Sequence, residues 1–405
     1  MILMTIMLLS GGCRKDVETF PEAKTVLMTI NFTANYINPK LGAIIFASDS
    51  LGNVIADTAF KGNGKLLLYT RPGIKNPLRF TLTIASWEPS MHNFEISMKS
   101  YLQVATAEWT LQGHRPDTLG HFTVSLSNIP QPALILYANA GYANLTTNYT
   151  DVTDLSYVDP DELYIKIEHN QDEVYKLISG IHPGGTYTVD MSDAVSPVFS
   201  NISMSGQYYE ARIWGFRDAD YENGLPVMTD FSLGSVPAGN LVRVAVLPGH
   251  FQGYHSELKL IENWDSMTSY SCRRNGDIPA AFDKIDAHVG SVTTHPAGKL
   301  EATTYGDFTT TCATWQFYGR NNQSFTWTMS GNNTLADIRL PNLSANMLQT
   351  FPTFSLDSLY FFNLELTKYH DLASYQDFLN TIFDPSGPKT QNKLNASALI
   401  YGQSK

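Results

Sequence analysis

Cysteine is scarce in this chain, three among 405 residues, and so is charge: Asp, Glu, Lys and Arg make up 16%, against roughly 25% in ordinary soluble domains. So few thiols exclude a small scaffold stapled by many disulfides. With no Cys-x-x-Cys and no clustered His beside any of them, they also exclude a structural zinc site. Past the first dozen residues no segment reaches the ~20 uninterrupted apolar residues that a membrane-spanning helix requires. Positive charge is the scarcer sign, 27 Lys and Arg against 38 Asp and Glu, which leaves a net −11 and argues against nucleic acid or anionic lipid as a partner. Gly-x-Ser-x-Gly, His-Glu-x-x-His, the Walker loop and the dinucleotide fingerprint are all missing, so the commonest nucleophile, zinc and phosphate devices are excluded. A pair of glycosidase carboxylates leaves no local spacing and stays open.

What the chain does have is Tyr, Phe and Trp, 12% in all, together with abundant Thr, Ser and Asn, a composition typical of extracellular β-structure. In Val26 to Phe32 every second residue is apolar, the period of a half-buried strand, and Phe80-Leu82-Ile84 and Phe94-Ile96-Met98 repeat it. Turns rich in Asp, Gly, Asn and Pro separate such runs. The length predicts two to three domains. The chain reads as all-β: a leader over residues 1–23, tandem antiparallel β-sandwich modules over 24–128 and 129–262, and a β-rich domain over 263–405 with one amphipathic helix. That helix is expected from the spacing of Leu372, Tyr375, Phe378, Leu379, Ile382 and Phe383, capped by Asp371 and ended before Asp384-Pro385.

The first residues carry an address. Met1 to Leu9 is apolar except for Thr5, and Ser10-Gly11-Gly12-Cys13 follows, which reads as a secretory signal with small residues at its cleavage site. The segment resembles a bacterial lipobox, which implies acylation of Cys13. Lys15-Asp16 and Glu18 resemble the acidic export signal of Bacteroidota surface lipoproteins, implying a lipid-anchored, surface-exposed protein of the outer membrane. The strand, Asp49-Ser50-Leu51-Gly52-Asn53 turn and second strand resemble the opening hairpin of transthyretin-like and carboxypeptidase-regulatory-like modules. Five Asp-Ser or Asp-Thr pairs, at Asp49, Asp57, Asp117, Asp265 and Asp357, resemble an O-glycosylation sequon. With Cys13 acylated, Cys272 and Cys312 remain. In an oxidising compartment an isolated pair is expected to form a disulfide, whose loop of about forty residues would contribute roughly 4 kcal/mol.

Four constellations invite chemistry. His92 and Glu95 have a zinc-carboxypeptidase spacing, but on a strand residues three apart point to opposite faces. His250, His255 and Glu257 form the densest group of potential ligands, with no third partner evident for zinc or acid–base work. Asp218, Asp220 and Glu222 start like a calcium loop, although the Gly comes one position late and Thr229 stands at the twelfth place. A solvated turn is the plainer reading, with a structural calcium ion as the one cofactor worth testing. Tyr208, Tyr209, Trp214 and Phe216 are the candidates for an exposed aromatic patch, whereas Trp315, Phe317, Phe325 and Trp327 alternate as core residues should.

The expected function is non-enzymatic binding of an extracellular glycan or partner protein by a surface lipoprotein, with no nucleic acid involved. Two alternatives remain. One is a fimbrial or adhesion subunit, which needs an N-terminal strand released by cleavage after Arg71 or Lys75. The other is a glycosidase or peptidase with dispersed carboxylates.

Overall fold

The computed structural model describes residues 24–402 apart from 35, 75–76, 90–93, 114–119, 131–132, 140–141, 147–151, 158–161, 170–171, 218–223, 238, 248, 263–267, 320–322, 335–336 and 388–392. Strands dominate. The first seven are β1 (Val26–Thr33), β2 (Ala43–Ser48), β3 (Val54–Phe60), β4 (Gly64–Tyr69), β5 (Phe80–Pro89), β6 (Phe94–Val104) and β7 (Glu108–Gln112). Next come β8 (Gly120–Ser127), β9 (Leu134–Asn139), β10 (Tyr142–Thr146), β11 (Val152–Tyr157), β12 (Glu162–His169), β13 (Asp172–Ser179) and β14 (Thr186–Asp190). They are followed by β15 (Val198–Ser203), β16 (Tyr208–Phe216), β17 (Leu225–Ser235), β18 (Leu241–Val246), β19 (Gly253–Ile261) and β20 (Thr268–Gly276). The last are β21 (Ala287–His295), β22 (Lys299–Gly306), β23 (Thr310–Tyr318), β24 (Gln323–Asn332), β25 (Asp337–Arg339), β26 (Tyr360–Tyr369) and β27 (Ala396–Gly402). Two α-helices interrupt them, α1 (Ala345–Thr350) and α2 (Tyr375–Ile382).

One twelve-stranded sheet organises the chain, in the order β17-β16-β19-β20-β27-β26-β23-β24-β6-β5-β2-β3. It draws strands from all three sequence segments, joined where β24 runs parallel to β6 with Trp327 opposite Met98. Every other pairing in this sheet is antiparallel. The alternation of β24 shows why it sits here: Phe325, Trp327 and Met329 are buried, while Ser324, Thr326, Thr328 and Ser330 on the other face are only half-buried. The buried face carries the largest core, which includes Trp315, Phe325, Trp327, Leu364, Leu366 and Leu258 and reaches residues of β15, β18, β21, β22 and β25.

Two smaller cores complete the body. The three-stranded sheet β4-β1-β7 covers the β2, β5 and β6 end of the opposite face, and α2 seals it with Tyr375, Phe378 and Leu379. Sheets β10-β9-β12-β13 and β11-β8-β14 form a separate small sandwich around Phe122, Ile135, Leu163 and Ile165. The buried Glu162 of β12 pairs with Arg217 at the end of β16, which ties this sandwich to the large sheet.

Two expectations are corrected. The helix starts after Ser374 rather than Asp371, because the Ser374 hydroxyl accepts from the Asp377 N–H at 3.1 Å and so satisfies a free amide of the first turn. Cys272 and Cys312 are free thiols, not a disulfide. Between β20 and β23 lie β27 and β26, three strand spacings or about 14 Å, whereas a bridge needs Cα atoms within about 7 Å. They also face opposite ways. Cys272 joins the main core, and Cys312 stands opposite Glu365 on the other face.

Candidate ligand-binding face

Where β16, β19, β20, β27, β26 and β23 run side by side, the face turned away from the main core is polar. Its residues follow from parity: the strands bury Ala211, Ile213, Leu258 and Leu399 on one side, so Glu210, Arg212, Glu257, Lys259, Ser271 and Arg273 must project from the other. Register aligns them into rungs. Arg212 stands opposite Glu257 and Glu257 opposite Arg273, and in the next rung Glu210 faces Lys259, which faces Ser271. Alternating signs across neighbouring strands stabilise the pairing. The nearest such pair is Lys259 Nζ to Glu210 Oε1 at 3.9 Å.

Beside the charged rungs, β27 offers only the methyl groups of Ala396 and Ala398, and the face sinks into a trough of about 340 Å³ bounded by Arg273, Lys259 and Glu365. Burial on its own raises the Glu257 carboxyl; the hydrogen bond and charge of His255, with Arg273 and Arg212 behind them, more than offset this and hold it below the ordinary carboxylate range. His255 Nδ1 lies 2.7 Å from Asn275 Oδ1 and its Nε2 lies 3.3 Å from Glu257 Oε1. The amide nitrogen of Asn275 donates to the Lys393 carbonyl at 3.0 Å, so the amide oxygen is the atom turned to the ring and Nδ1 donates. The Trp214 ring leans on the imidazole, with centroids 5.4 Å apart.

Past Glu365 the same face continues over β23 and β26 without further formal charges. Tyr318 and Tyr360 lie 6.3 Å apart at 33°, and both hydroxyls donate to Gln316 Oε1, at 3.2 and 3.5 Å. Tyr318 is 60% exposed. A bulge between Thr314 and Trp315 brings Tyr360 opposite Gln316 while leaving Phe361 opposite the buried Trp315, the way a bulge re-aims side chains beside a functional surface.

The four aromatic residues singled out from the sequence separate in the fold. Trp214 and Tyr208 belong to the polar face at opposite ends of β16, whereas Tyr209 packs against the main core and Phe216 is buried with its ring against Gly224. His250 packs edge-on against Tyr175, away from His255 and Glu257. Cys13, His92 and the group Asp218, Asp220 and Glu222 lie outside the described residues. Among the described residues no three His, Cys, Asp or Glu are placed to hold a metal ion, and no helix is long and apolar enough to cross a membrane. Tyr318 and Tyr360 were missed. The alternation that turns Trp315 and the half-buried Phe317 toward the main core already implied that Gln316 and Tyr318 face out, but only the β23–β26 register supplies Tyr360.

A second cluster was also invisible in the sequence. Ser397 Oγ lies 3.0 Å from His370 Nε2 and donates to Asp283 Oδ2 at 3.2 Å, and Arg274 pairs with the same carboxylate. A nucleophilic relay needs the carboxylate on the far ring nitrogen, so that the imidazole takes the hydroxyl proton. Here Asp283 approaches the same Nε2, at 3.6 Å, and itself accepts the serine proton, while Ser397 is only 1% exposed. The cluster therefore joins β20, β26, β27 and the segment carrying Asp283.

Fold and face together define an all-β protein with a broad, polar, strand-built surface. No protein-family model matches the chain, and no curated protein matches it. Among solved structures it is similar to the Bacillus anthracis TIE protein at 11% identity, covering 63% of this chain and 48% of that one with a TM-score of 0.16. It thus spans about half the length of that relative. A presumed adhesin from Bacteroides ovatus matches at 10% identity over 61% of this chain and 76% of its own, TM-score 0.13. A tetra-tandem repeat from the extending region of a large adhesion protein matches at 11% over 82% and 88%, TM-score 0.12. Similarity this low fixes neither topology nor function.

Proposed function

We propose that this is a non-enzymatic binding protein of the bacterial surface, lipid-anchored through Cys13, that holds an extracellular ligand on the polar face of the twelve-stranded sheet. The observation that carries this reading is that face itself: several adjacent strands present ordered charges, an alanine-floored trough and the exposed Tyr318 beside the half-buried Tyr360 instead of burying their outer side under another layer. Ordinary sheets turn one face to water with scattered polar residues, but a trough with convergent charged and aromatic groups is the form ligand sites take. The Ser397, His370 and Asp283 arrangement does not compete with it, since its hydroxyl is buried and already donates to the carboxylate.

The fimbrial alternative gains no support from packing. The strands before Arg71 include β1 and β2, which bury Leu27, Ile30, Phe32 and Ile45 in the second core, and Arg71 itself pairs with Asp57 at 3.0 Å. Cleavage there would remove half of that core. The reading is tested by applying the mature chain to glycan and protein arrays. Saturable binding to a ligand that is not turned over is the expected result; no binding, together with hydrolysis of a polysaccharide or peptide, would overturn it. For the anchor, Cys13→Ala should abolish acylation, and lipid labelling that persisted in that variant would defeat the assignment.

A further inference from the structure

We propose that the Tyr318, Gln316 and Tyr360 platform binds a neutral oligosaccharide; the inference rests on the binding function above and names its ligand class. Three observations converge. The two rings present aromatic faces side by side, 6.3 Å apart, at the exposed end of β23 and β26. Both hydroxyls are directed at Gln316 Oε1, which fixes the amide orientation and leaves its Nε2 with two hydrogens and no protein acceptor among the described residues. Around them on β23, β24 and β26 stand Thr314, Thr326, Thr328 and Asn363; the formal charges that border them on this side are Glu365, one rung beyond Asn363 on β26, and Glu95 and Lys99 on β6.

These groups select by chemistry. A pyranose has C–H faces that stack on aromatic rings and hydroxyl oxygens that accept from an amide, and it carries no charge to be matched. An acidic polymer would find no cation beside the rings on this face of the three strands, and a basic one would be drawn past them to Glu365 at the trough end of β26, so charged polymers are directed to the trough, where Arg273 and Glu365 lie. A protein partner would seat its hot-spot side chains in a well-packed, fully desolvated pocket, whereas Tyr318 stands on an open strand surface, 60% exposed. The platform is therefore a sugar subsite, and the hydroxyl-bearing rows beside it extend the contact to neighbouring sugar units.

Titration calorimetry with neutral hexasaccharides of glucose, galactose and mannose, and with sulfated and uronic-acid counterparts, provides the test. Tyr318→Ala and Tyr360→Ala should each weaken binding of the neutral ligand about five- to tenfold, because one ring contact contributes of the order of 1 kcal/mol. Gln316→Glu, which keeps the shape but removes both donors, should weaken it at least as much, whereas Lys65→Ala on β4, in a different sheet, should leave it unchanged. Far-ultraviolet circular dichroism establishes that each variant is folded. Binding of charged glycans or of a protein that is lost in Arg273→Ala and kept in both tyrosine variants would overturn this subsite while leaving the binding function standing. Absence of binding to any glycan or protein would overturn both.

Discussion

Removing the Ser100 hydroxyl should loosen the junction between the two halves of the large sheet. In the buried core Trp327 Nε1 donates to Ser100 Oγ at 2.8 Å, and Ser100 and Thr83 hydroxyls meet at 2.7 Å. Ser100 accepts from the indole and shares a hydroxyl–hydroxyl hydrogen bond with Thr83 in which either oxygen can donate, so the three groups form one chain from β24 through β6 to β5. All three residues are at most 1% exposed. Ser100→Ala orphans an indole N–H and the Thr83 hydroxyl, each at about 1–2 kcal/mol, so the expected loss is about 2–4 kcal/mol. Trp327→Phe removes the donor but leaves the Ser100 to Thr83 bond intact. In that background Ser100→Ala orphans only Thr83, and the two changes should couple by about 1–2 kcal/mol. Urea denaturation followed by circular dichroism on the wild type, both single variants and the double variant measures this. A Ser100→Ala loss below about 0.5 kcal/mol, or strict additivity with Trp327→Phe, would refute the proposed chain of hydrogen bonds.

Other outcomes follow from the same structure. Burial, followed by the Arg274 charge, lowers the His370 pKa below its ordinary value. The folded protein therefore binds its proton less readily than the unfolded chain, and stability is present above about pH 6.5 and declines as pH falls through that value. His370→Gln should flatten this part of the pH dependence of the urea midpoint, and an unchanged slope would count against it. Burial raises the Cys272 thiol and lifts that of Cys312 to about 12; both should resist thiol reagents until the protein is denatured, and reductant should not move the thermal midpoint. A peptide map joining the two residues would reverse that conclusion. At Gly306 (φ +106) an added Cβ would lie 2.2 Å from the Asp286 carbonyl oxygen, while at Gly184 (φ +77) it would meet nothing. Gly306→Ala should thus cost about 2–3 kcal/mol in chemical denaturation and Gly184→Ala about 1 kcal/mol, and equal costs would show that strain alone decides.

Local patterning made the elements legible. Period-two alternation located β1, β5, β23 and β24, the Asp49 turn appeared as expected with its carboxylate accepting from Leu51 and Asn53 amides, and Trp315, Phe325 and Trp327 are buried as their spacing implied. The helix was visible but its start was not. Asp371 and Ser374 are both cap-forming residues, and only the folded position of Ser374 beside the Asp377 amide distinguishes them. Partnership between strands was the larger gap. The disulfide expectation failed for that reason: separation along the chain says nothing of the two strands that come between Cys272 and Cys312, nor of the face each thiol takes.

From residues alone came the all-β class, the alternating faces and the identity of many core side chains, because these depend on periods of two and on turn chemistry within a few residues. Tertiary structure alone decided which strands are neighbours. The parallel meeting of β24 with β6, the rung of Arg212, Glu257 and Arg273, and the pairing of Tyr360 with Gln316 all join residues far apart in sequence. Their cohesion arises from long-range burial and register, which no local window of sequence contains.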